Sequence, residues 1–341
     1  KHRMKKLALT IQYDNVISID NLLEAWKEFL NGKRERKDVQ EFERNLMENI
    51  ISLHQDLKTK SYQHSSYEVF NITDPKRRTI HKAKVRDRLL HRAIYRILYP
   101  FFDKTFISDS YSCRRRKGTH KALNKFQDYS RKVGRNNTKV VWVLKCDIRK
   151  FFASVDQSVL LKIVESYIQD QDIRWLISEI VGSFSSRANG VGLPLGNLTS
   201  QLLVNIYMNK FDQFMKHRLK AKYYIRYADD FVLIDGDKDR LMEMLPKMAD
   251  FLLDELKLSL HPDKVFIKRL SSGVDFLGWV NFPDHRVLRT VTKRRMFRRI
   301  EYKGGKKETV YSYLGLLSHG NNYGLRKLVG ERLENLVIPT P

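Results

Sequence analysis

Apolar side chains recur at helical spacing in several long segments of this chain. Residues 20–60 show this spacing and predict two helices, separated by the charged break NGKRERKD at residues 31–38. Asp20 stands where its side chain can cap the first of these helices. The segment 239–260 is likewise amphipathic, and its Pro246 predicts either the first helical turn or a kink.

Continuous β-prone runs predict the strands, and two of them carry acidic residues. Residues 139–148, KVVWVLKCDI, predict a strand buried on both faces, in which Asp147 follows the apolar run. Residues 223–234, YYIRYADDFVLI, predict a hairpin with Asp229 and Asp230 side by side at its tip. The other predicted elements are a turn at Asp74–Pro75 followed by a short strand and a helix up to residue 94, a basic loop at 110–123 leading into a helix, a Gly-rich loop at 190–201 leading into a helix, a strand at 273–280, and basic helices at 287–341.

The charge of the chain predicts a polyanionic partner. Its 64 Lys and Arg residues against 39 Asp and Glu give a formal net charge of +25, which an enzyme of small metabolites rarely needs. A nucleic acid is the simplest such partner, because side chains that neutralise its phosphates release counterions. A generally basic, well-solvated surface is the alternative interpretation.

Cysteine content and hydropathy indicate the compartment. The two cysteines, Cys113 and Cys146, form neither a disulfide framework nor a CxxC metal pattern, so we expect a reducing, cytoplasmic location. No run of 18 apolar residues predicts a membrane span, and the N-terminus has no signal-peptide pattern. The sequence begins at Lys1 rather than Met, so we expect the natural protein to begin further upstream.

The adjacent aspartates require a compensating charge. Two unit charges about 4 Å apart repel by about 4 kcal/mol at an effective dielectric constant near 20, so Asp229 and Asp230 need a cation nearby. If the strand ending at Asp147 neighbours the hairpin, three carboxylates converge and can hold two Mg²⁺ ions. An aspartate pair at a turn is also common turn chemistry. The prediction therefore depends on the ordered set of strand-ending Asp, Gly-rich loop and hairpin in a strongly basic chain.

The order of these motifs resembles that of a reverse transcriptase. YADD at 227–230 is similar to the YxDD box of that family, and LKCDIRKFF at 144–152 to the palm motif that supplies the first metal-binding aspartate. Other similar motifs are GLPLGNLTSQ (192–201), LSLHPDKV (258–265), VDFLGWV (274–280), and the finger motifs PKRRTIHKAKVRDRLLHRAI (75–94) and SCRRRKGTHKAL (112–123). The resemblance covers residues 70–330 and implies an α+β, right-hand polymerase with an antiparallel-sheet palm, mixed fingers and a helical thumb.

The resemblance implies a role for each matching residue. Asp147 and Asp229 would bind both metal ions, Asp230 would support the second position, and the Ile148 carbonyl would ligate the nucleotide-side ion. The residues implied at the incoming nucleotide are Lys76, Arg78 and Arg86 at the triphosphate, Phe152 as a steric gate against the ribose 2′-hydroxyl, Leu195, Gly196 and Gln201 around the nascent pair, and Lys264 as a general acid for pyrophosphate. The residues implied at the template–primer are Arg114, Arg115, Arg116, Lys117, Phe276, Leu277, Gly278, Arg294, Arg295 and Arg298. Core packing of Phe152 and plain solvation of Lys264 are the alternatives.

One departure from the family pattern narrows the resemblance. Most members have Gln before the Gly of the Gly-rich motif and Pro after its Ser, where this chain has Leu195 and Gln201. This form resembles reverse transcriptases of diversity-generating retroelements, which copy a template RNA into cDNA with errors at template adenines and so diversify a target gene. It implies a template RNA, a cDNA primer strand, dNTPs and a small basic accessory protein as partners, in a bacterial or phage-encoded system.

Motif positions also suggest the domain organisation. We expect an N-terminal helical extension at 1–68, fingers at 69–138, a palm with finger insertions at 139–284 and a basic helical thumb at 285–341. From these positions we expect no RNase H domain and none of the DNA-binding and endonuclease regions of group II intron proteins, so RNA removal and target entry would need other factors.

Three alternatives remain open at this stage. The first is a retron or antiviral-defence reverse transcriptase, and the second a non-catalytic, maturase-like RNA-binding protein. The third, a palm-fold nucleotide cyclase, also places carboxylates on a hairpin but would need neither fingers, thumb nor this basicity.

Overall fold

The computed structural model describes residues 11–73, 77–186 and 189–337, and of 331–337 the backbone alone. The helices are α1 (Tyr13–Ile17), α2 (Ile19–Phe29), α3 (Lys37–Arg44), α4 (Leu46–Lys58), α5 (Val85–Asp103), α6 (Thr119–Val133), α7 (Phe151–Ser154), α8 (Gln157–Glu165), α9 (Gln171–Gly182), α10 (Leu198–Gln213), α11 (Lys238–Leu256), α12 (Thr290–Tyr302), α13 (Lys307–Leu317) and α14 (Tyr323–Val337). The strands are β1 (Glu68–Ile72), β2 (Arg78–Lys82), β3 (Trp142–Asp147), β4 (Tyr224–Tyr227), β5 (Asp230–Asp235), β6 (Phe266–Arg269), β7 (Val274–Phe276), β8 (Trp279–Asn281) and β9 (Arg286–Leu288).

These elements form two compact units. The first is built from the segments 1–114, 148–220 and 247–262, and the second from 115–147, 221–246 and 263–341. Helix α11 begins in the segment 221–246 of the second unit and ends in the segment 247–262 of the first, so each unit contains part of it.

In its described residues, the first unit is helical apart from one hairpin. Helix α5 packs against α2 and α10, because its apolar residues, such as Leu89 and Leu98, line a continuous buried face. On α10 the side chains of Val204, Met208 and Phe211 are buried, and Met215, just after the end of that helix, is buried as well. Strands β1 and β2 form a separate antiparallel hairpin that lies largely exposed.

The second unit contains the main sheet. Its four strands lie in the order β4-β5-β3-β6, and every neighbouring pair is antiparallel. Because β3 is central, Val143, Leu144 and Cys146 are fully buried, as the β-prone run predicts. Helix α6 packs against β4 and β5, while β7, β8 and β9 form a second antiparallel sheet and α12 to α14 follow it.

The predicted α+β class is confirmed, since every strand pair in the described part of the chain is antiparallel. Within the same residues, no helix is both long enough and apolar enough to cross a lipid bilayer. The predicted turn at Asp74–Pro75 lies outside the described residues.

Three local expectations were wrong. The first long helix, α2, is capped by the Ser18 hydroxyl, which accepts a hydrogen bond from the Asn21 amide at 3.2 Å, whereas Asp20 lies in the first turn. Strand β3 begins at Trp142, and Val140 before it is exposed. The segment 273–280 is not one strand.

That segment is a tight hairpin instead. Leu277 and Gly278 separate β7 from β8 with φ angles of +51° and +85°, the backbone of a two-residue turn that reverses the chain. Pro246 lies inside α11, which excludes the first helical turn as one of its two predicted positions. A β-branched or aromatic run predicts extended backbone, but it does not show where a positive φ reverses it.

A buried histidine in the first unit predicts acid sensitivity. His91 on α5 is 1% exposed, and neither ring nitrogen has a hydrogen-bond partner among the described residues. Burial lowers the pKa of His91 to about 3, with smaller contributions from His64 and Arg88. The unfolded chain is therefore protonated at this residue below pH 6.5 while the folded chain is not, so stability falls as the pH falls.

We expect the variant His91→Leu to remove this dependence. At pH 5.5 the wild type should lose about 1 kcal/mol of unfolding free energy relative to the variant, and about 3 kcal/mol at pH 4.5. Denaturant unfolding of both proteins between pH 7.5 and 4.5 measures the difference. If the unfolding free energies of the two proteins changed in parallel over that pH range, His91 would not be the source of the acid sensitivity.

Candidate active site

The predicted hairpin places its two aspartates at the turn. Tyr227 of β4 pairs with Asp230 of β5, so Ala228 and Asp229 form the connection between the strands. Ala228 has a φ of +56°, a conformation that L-residues adopt rarely and that often marks functional sites. The buried Arg226 donates to the Ala228 carbonyl at 3.0 Å and so supports the turn from within the unit.

Strand pairing brings the third aspartate to the same point. Asp147, the last residue of β3, lies directly opposite Asp230 in the antiparallel register. Directly opposed residues project from the same face of a sheet, with Cβ atoms about 4.5–5.5 Å apart. Two residues that are 83 positions apart in sequence therefore form a cross-strand carboxylate pair, next to Asp229 in the turn.

Two lysines contact this carboxylate pair. The Lys264 ammonium donates to Asp147 Oδ1 at 2.9 Å, and the Lys145 ammonium lies 3.4 Å from Asp230 Oδ2. Lys264 is 42% exposed, whereas Lys145 is 12% exposed. Two carboxylates 5 Å apart repel by about 3 kcal/mol at an effective dielectric constant near 20, so nearby cations favour the ionised pair.

Asp230 has a raised pKa and one buried carboxylate oxygen. Burial raises the pKa of Asp230 to about 7; Lys145 opposes this shift, and the charges of Asp147 and Asp229 add to it. Its Oδ1 atom is buried and has no hydrogen-bond partner in the described part of the chain. Such an atom is costly to leave unpaired unless it accepts a further ligand.

The donor set fits Mg²⁺, which binds carboxylate oxygens, bound water and substrate phosphates. Asp147, Asp229 and Asp230 supply the carboxylates, and the unpaired Oδ1 of Asp230 offers a free ligand atom. Among the described residues, however, no three acidic, histidine or cysteine side chains are already arranged around a common metal position.

Sequence reasoning missed two residues of this site. Arg226 and Lys145 both lie in strands that were predicted, but their charge was not assigned to the carboxylates. The signal for Lys145 was available: a residue two positions before Asp147 in a strand lies on the same face. Arg226 gave no comparable signal, since it is a single basic residue within a β-prone run.

The residues predicted at the incoming nucleotide lie largely in the first unit. Arg78 is exposed at the start of β2, and the same strand contacts the Gly-rich loop, because the His81 amide donates to the Leu195 carbonyl at 3.0 Å. Gly196 has a φ of +110°, and a Cβ there would lie 2.9 Å from Ile80 Cγ2. Within this unit the structure thus brings Arg78, Leu195 and Gly196 onto adjoining segments.

Four further predicted residues belong to the same unit. The half-buried Phe152 on α7 accepts a backbone hydrogen bond from Leu193 at 2.7 Å, and its ring contacts the buried Phe151. Arg86 pairs with Asp56 and lies over the Tyr62 ring. The other two are Ile148, which forms an isolated β-bridge with Leu260, and Gln201, which is half-buried in the first turn of α10. Lys76 lies outside the described residues.

Two of the residues predicted at the template–primer have structural roles instead. The Arg114 side chain is 6% exposed and pairs with Asp103, and it also donates to the carbonyls of Ile107 and Ser110. It therefore holds its own loop and is not available to a nucleic acid. Phe276 is fully buried and packs against Phe126 at a centroid distance of 5.7 Å, which makes it a core residue.

The other predicted template–primer residues are more accessible. Leu277 and Gly278 form the β7–β8 turn and are partly exposed. The basic residues in this group are Arg115, Arg116, Arg294 and Arg298, which are exposed, and Lys117 and Arg295, which are half-buried.

Comparison with known proteins matches this site to one family. Residues 72–281, more than half of the chain, match the family described as "Reverse transcriptase (RNA-dependent DNA polymerase)". Protein YkfC of Escherichia coli is 29% identical over 244 residues, covering 60% of this chain and 61% of that protein. The group II intron-encoded protein LtrA of Lactococcus lactis is 23% identical over 276 residues, covering 61% of this chain and 44% of that protein.

Solved structures show a similar fold. The apo telomerase of Candida tropicalis aligns with a TM-score of 0.52 at 12% identity, covering 66% of this chain and 49% of that one. A Candida albicans telomerase solved with a fragment of telomeric RNA aligns with a TM-score of 0.50 at 14% identity, covering 67% and 47% of the two chains. These identities support the fold alone.

The chain matches less than two thirds of the length of these relatives. The family match nevertheless spans β3, the Gly-rich loop and the β4–β5 hairpin, and so includes Asp147, Asp229 and Asp230. On the strength of that match, the chain belongs to the reverse transcriptase (RNA-dependent DNA polymerase) family.

Proposed function

We propose that this protein is an RNA-directed DNA polymerase that extends a primer on an RNA template by two-metal nucleotidyl transfer. The observation that carries the proposal is the cross-strand pairing of Asp147 with Asp230, next to Asp229 in the β4–β5 turn. When bound, two Mg²⁺ ions would activate the primer 3′-hydroxyl and stabilise the charge on the departing pyrophosphate.

The chain's own residues have distinct roles in this proposal. Asp147 and Asp229 bind the ions, Asp230 supports the second position, and the Ile148 carbonyl completes the nucleotide-side position. Lys264, which contacts Asp147 at 2.9 Å, would give a proton to pyrophosphate. Arg78 would hold the triphosphate through its planar guanidinium, and Phe152 would exclude the 2′-hydroxyl of a ribonucleotide.

Primer extension tests this function. Purified protein is incubated with a DNA primer annealed to an RNA template, dNTPs and Mg²⁺, with an EDTA sample and a sample containing rNTPs as controls. Template-directed, Mg²⁺-dependent addition of dNTPs is the expected result. RNA binding without incorporation would instead favour a maturase-like RNA-binding protein, and cyclic nucleotide formation from free NTPs would favour a cyclase.

We further propose that the enzyme belongs to the diversity-generating type and is error-prone at template adenines. The Leu195 carbonyl accepts a hydrogen bond from the His81 amide of β2. The aliphatic side chain of Leu195, however, has no group that could hydrogen-bond to a nascent base pair. A net hydrogen bond is worth about 1 kcal/mol, so its absence lowers discrimination about fivefold. Gln201, in place of the usual Pro, supports the same assignment.

Replacement of Leu195 by Gln tests this proposal. We expect the variant to misincorporate about fivefold less opposite template adenine, because the added amide can hydrogen-bond near the incoming nucleotide. Sequencing of cDNA made on one defined RNA by both proteins, scored by template base, measures the change. The variant Leu195→Met, of similar size but without the amide, is the control. An even error spectrum for the wild type would favour a retron or defence enzyme.

The proposed partners and regions follow from this function. The enzyme would act on a structured template RNA with a small basic accessory protein, in the cytoplasm of a bacterial host. Residues 69–138, 139–284 and 285–341 would serve as fingers, palm and thumb, preceded by a helical extension at 1–68. The exposed Arg294 and Arg298 on α12 would contact the nucleic-acid backbone.

A further inference from the structure

Lys145 occupies an unusual position for a lysine. It lies in β3, the central strand of the four-stranded sheet, where it pairs with Val232 on one side and Phe266 on the other. Its side chain is only 12% exposed. Lysine is rarely buried unless its charge is paired, because removal of an ammonium group from water is costly. The low exposure of Lys145 is therefore explained by its ion pair with Asp230 rather than by packing.

The register directs this cation toward the carboxylates. Residues two apart in a strand share a face, so Lys145 lies on the face of Asp147, and diagonally across from Asp230. The ammonium is 3.4 Å from Asp230 Oδ2, while Oδ1 of the same group has no partner among the described residues. One oxygen of Asp230 is thus held by a resident cation, and the other is left open.

We infer that Lys145 is a positioning residue that stands in for a metal ion at Asp230. This inference rests on the proposed two-metal function. In the metal-free protein, Lys145 holds the carboxylates of β3 and β5 together against their mutual repulsion. When Mg²⁺ binds, it competes with the ammonium for Asp230, so Lys145 weakens metal binding and favours its release between turnovers.

Lys264 provides a contrast that sharpens the inference. It also contacts the pair, at 2.9 Å from Asp147, but its side chain is 42% exposed. Exposed ion pairs contribute little to stability, because solvent and salt screen them. Lys145, which is the less exposed of the two lysines, is therefore expected to control both the metal-free fold and the affinity for metal.

Thermal unfolding of the full chain over a Mg²⁺ titration tests the role of Lys145 without any measure of polymerase activity. We expect Lys145→Met to lower the melting temperature in EDTA by about 4–8 °C. The same variant should require about tenfold less Mg²⁺ for half of its metal-induced stabilisation. Lys145→Arg, which retains the charge, should restore most of both values. Lys268→Met, an exposed lysine on the same face of β6 opposite Val143, is the matched control and should behave as the wild type.

The Asp230→Asn background identifies the partner. If Lys145 acts through Asp230, then Lys145→Met added to Asp230→Asn should not change the Mg²⁺ midpoint further. A purely structural lysine would lower the melting temperature equally with and without Mg²⁺, and that outcome would overturn the inference while leaving the metal site intact. Absence of Mg²⁺ stabilisation in the wild type would overturn the metal site itself. If Lys145→Met does not fold, the Mg²⁺ midpoint of Lys145→Gln, which lacks the charge, is compared with that of Lys145→Arg, which keeps it.

Discussion

Replacement of Asp147 by Asn is expected to reduce primer extension by at least about 10³-fold while leaving the fold and RNA binding in place. The neutral amide is close in size to the carboxylate, so the cross-strand contact with Asp230 is retained and the charge is lost. A metal ion contributes several kcal/mol of transition-state stabilisation, and about 4 kcal/mol corresponds to about 10³ in rate. Asp229→Asn and Asp230→Asn should show losses of the same order.

The same sheet offers a control for this substitution. Asp235 lies at the far end of β5, five residues after Asp230. It pairs with Trp142 in the sheet and forms an ion pair with Arg240. Asp235→Asn changes the formal charge by the same amount but should keep activity within about twofold of the wild type, because Asp235 pairs with Trp142, at the opposite end of β3 from Asp147. Single-turnover extension with saturating Mg²⁺ measures the rates, and filter binding to the RNA template reports the fold.

Two results would contradict the assignment of Asp147. Extension by Asp147→Asn at a rate close to that of the wild type would exclude the carboxylate from metal binding. Equal losses in Asp147→Asn and Asp235→Asn would show that charge on this sheet matters for stability rather than for chemistry. Loss of RNA binding together with extension would point to misfolding and is checked by the melting temperature.

The convergence of the three aspartates could be predicted from the sequence, because their motifs carry a strong local signal. A β-prone run ending in Asp147 and a hairpin bearing Asp229–Asp230 are both local patterns, and antiparallel pairing of the two was the simplest arrangement. The register that sets Asp147 opposite Asp230 was not predictable. It is fixed by burial of a whole sheet face, to which distant strands contribute.

The roles of charged residues were harder to predict than their positions. Arg114 belongs to a run of four basic residues, and nothing local shows that its side chain is held by Asp103 and by the carbonyls of Ile107 and Ser110. The burial of Phe276 was equally hard to predict. Phe276 lies next to the Leu277–Gly278 turn, in a segment that was expected to be one strand. Burial in both cases depends on which segments pack nearby, and a single sequence does not specify this.

Replacement of Gly196 by Ala is the second substitution expected to have a large effect. Gly196 has a φ of +110°, where a side chain is strained, and its Cβ would lie 2.9 Å from Ile80 Cγ2. Ile80 is β-branched and stiff, so relief of the contact requires the loop to move away from β2. That movement would disturb the hydrogen bond between the His81 amide and the Leu195 carbonyl.

We expect Gly196→Ala to raise the KM for dNTPs about tenfold or more, with a smaller change in kcat. Backbone strain of this kind costs about 1–3 kcal/mol, and about 1.4 kcal/mol corresponds to tenfold. The effect should appear in nucleotide binding, because the Gly-rich loop adjoins the strand that carries Arg78. Steady-state extension at varied dNTP concentration separates the two parameters.

Two further variants distinguish strain from collision. Gly118 has nearly the same φ, +116°, but a Cβ there meets no atom within 4 Å, so Gly118→Ala reports in its melting temperature the cost of the backbone angle alone. Ile80→Ala combined with Gly196→Ala removes the colliding methyl group and leaves the angle. We expect the double variant to recover part of the lost dNTP affinity, because both terms contribute. A Gly196→Ala protein with unchanged KM would show that the close approach of this loop to β2 has no part in nucleotide binding.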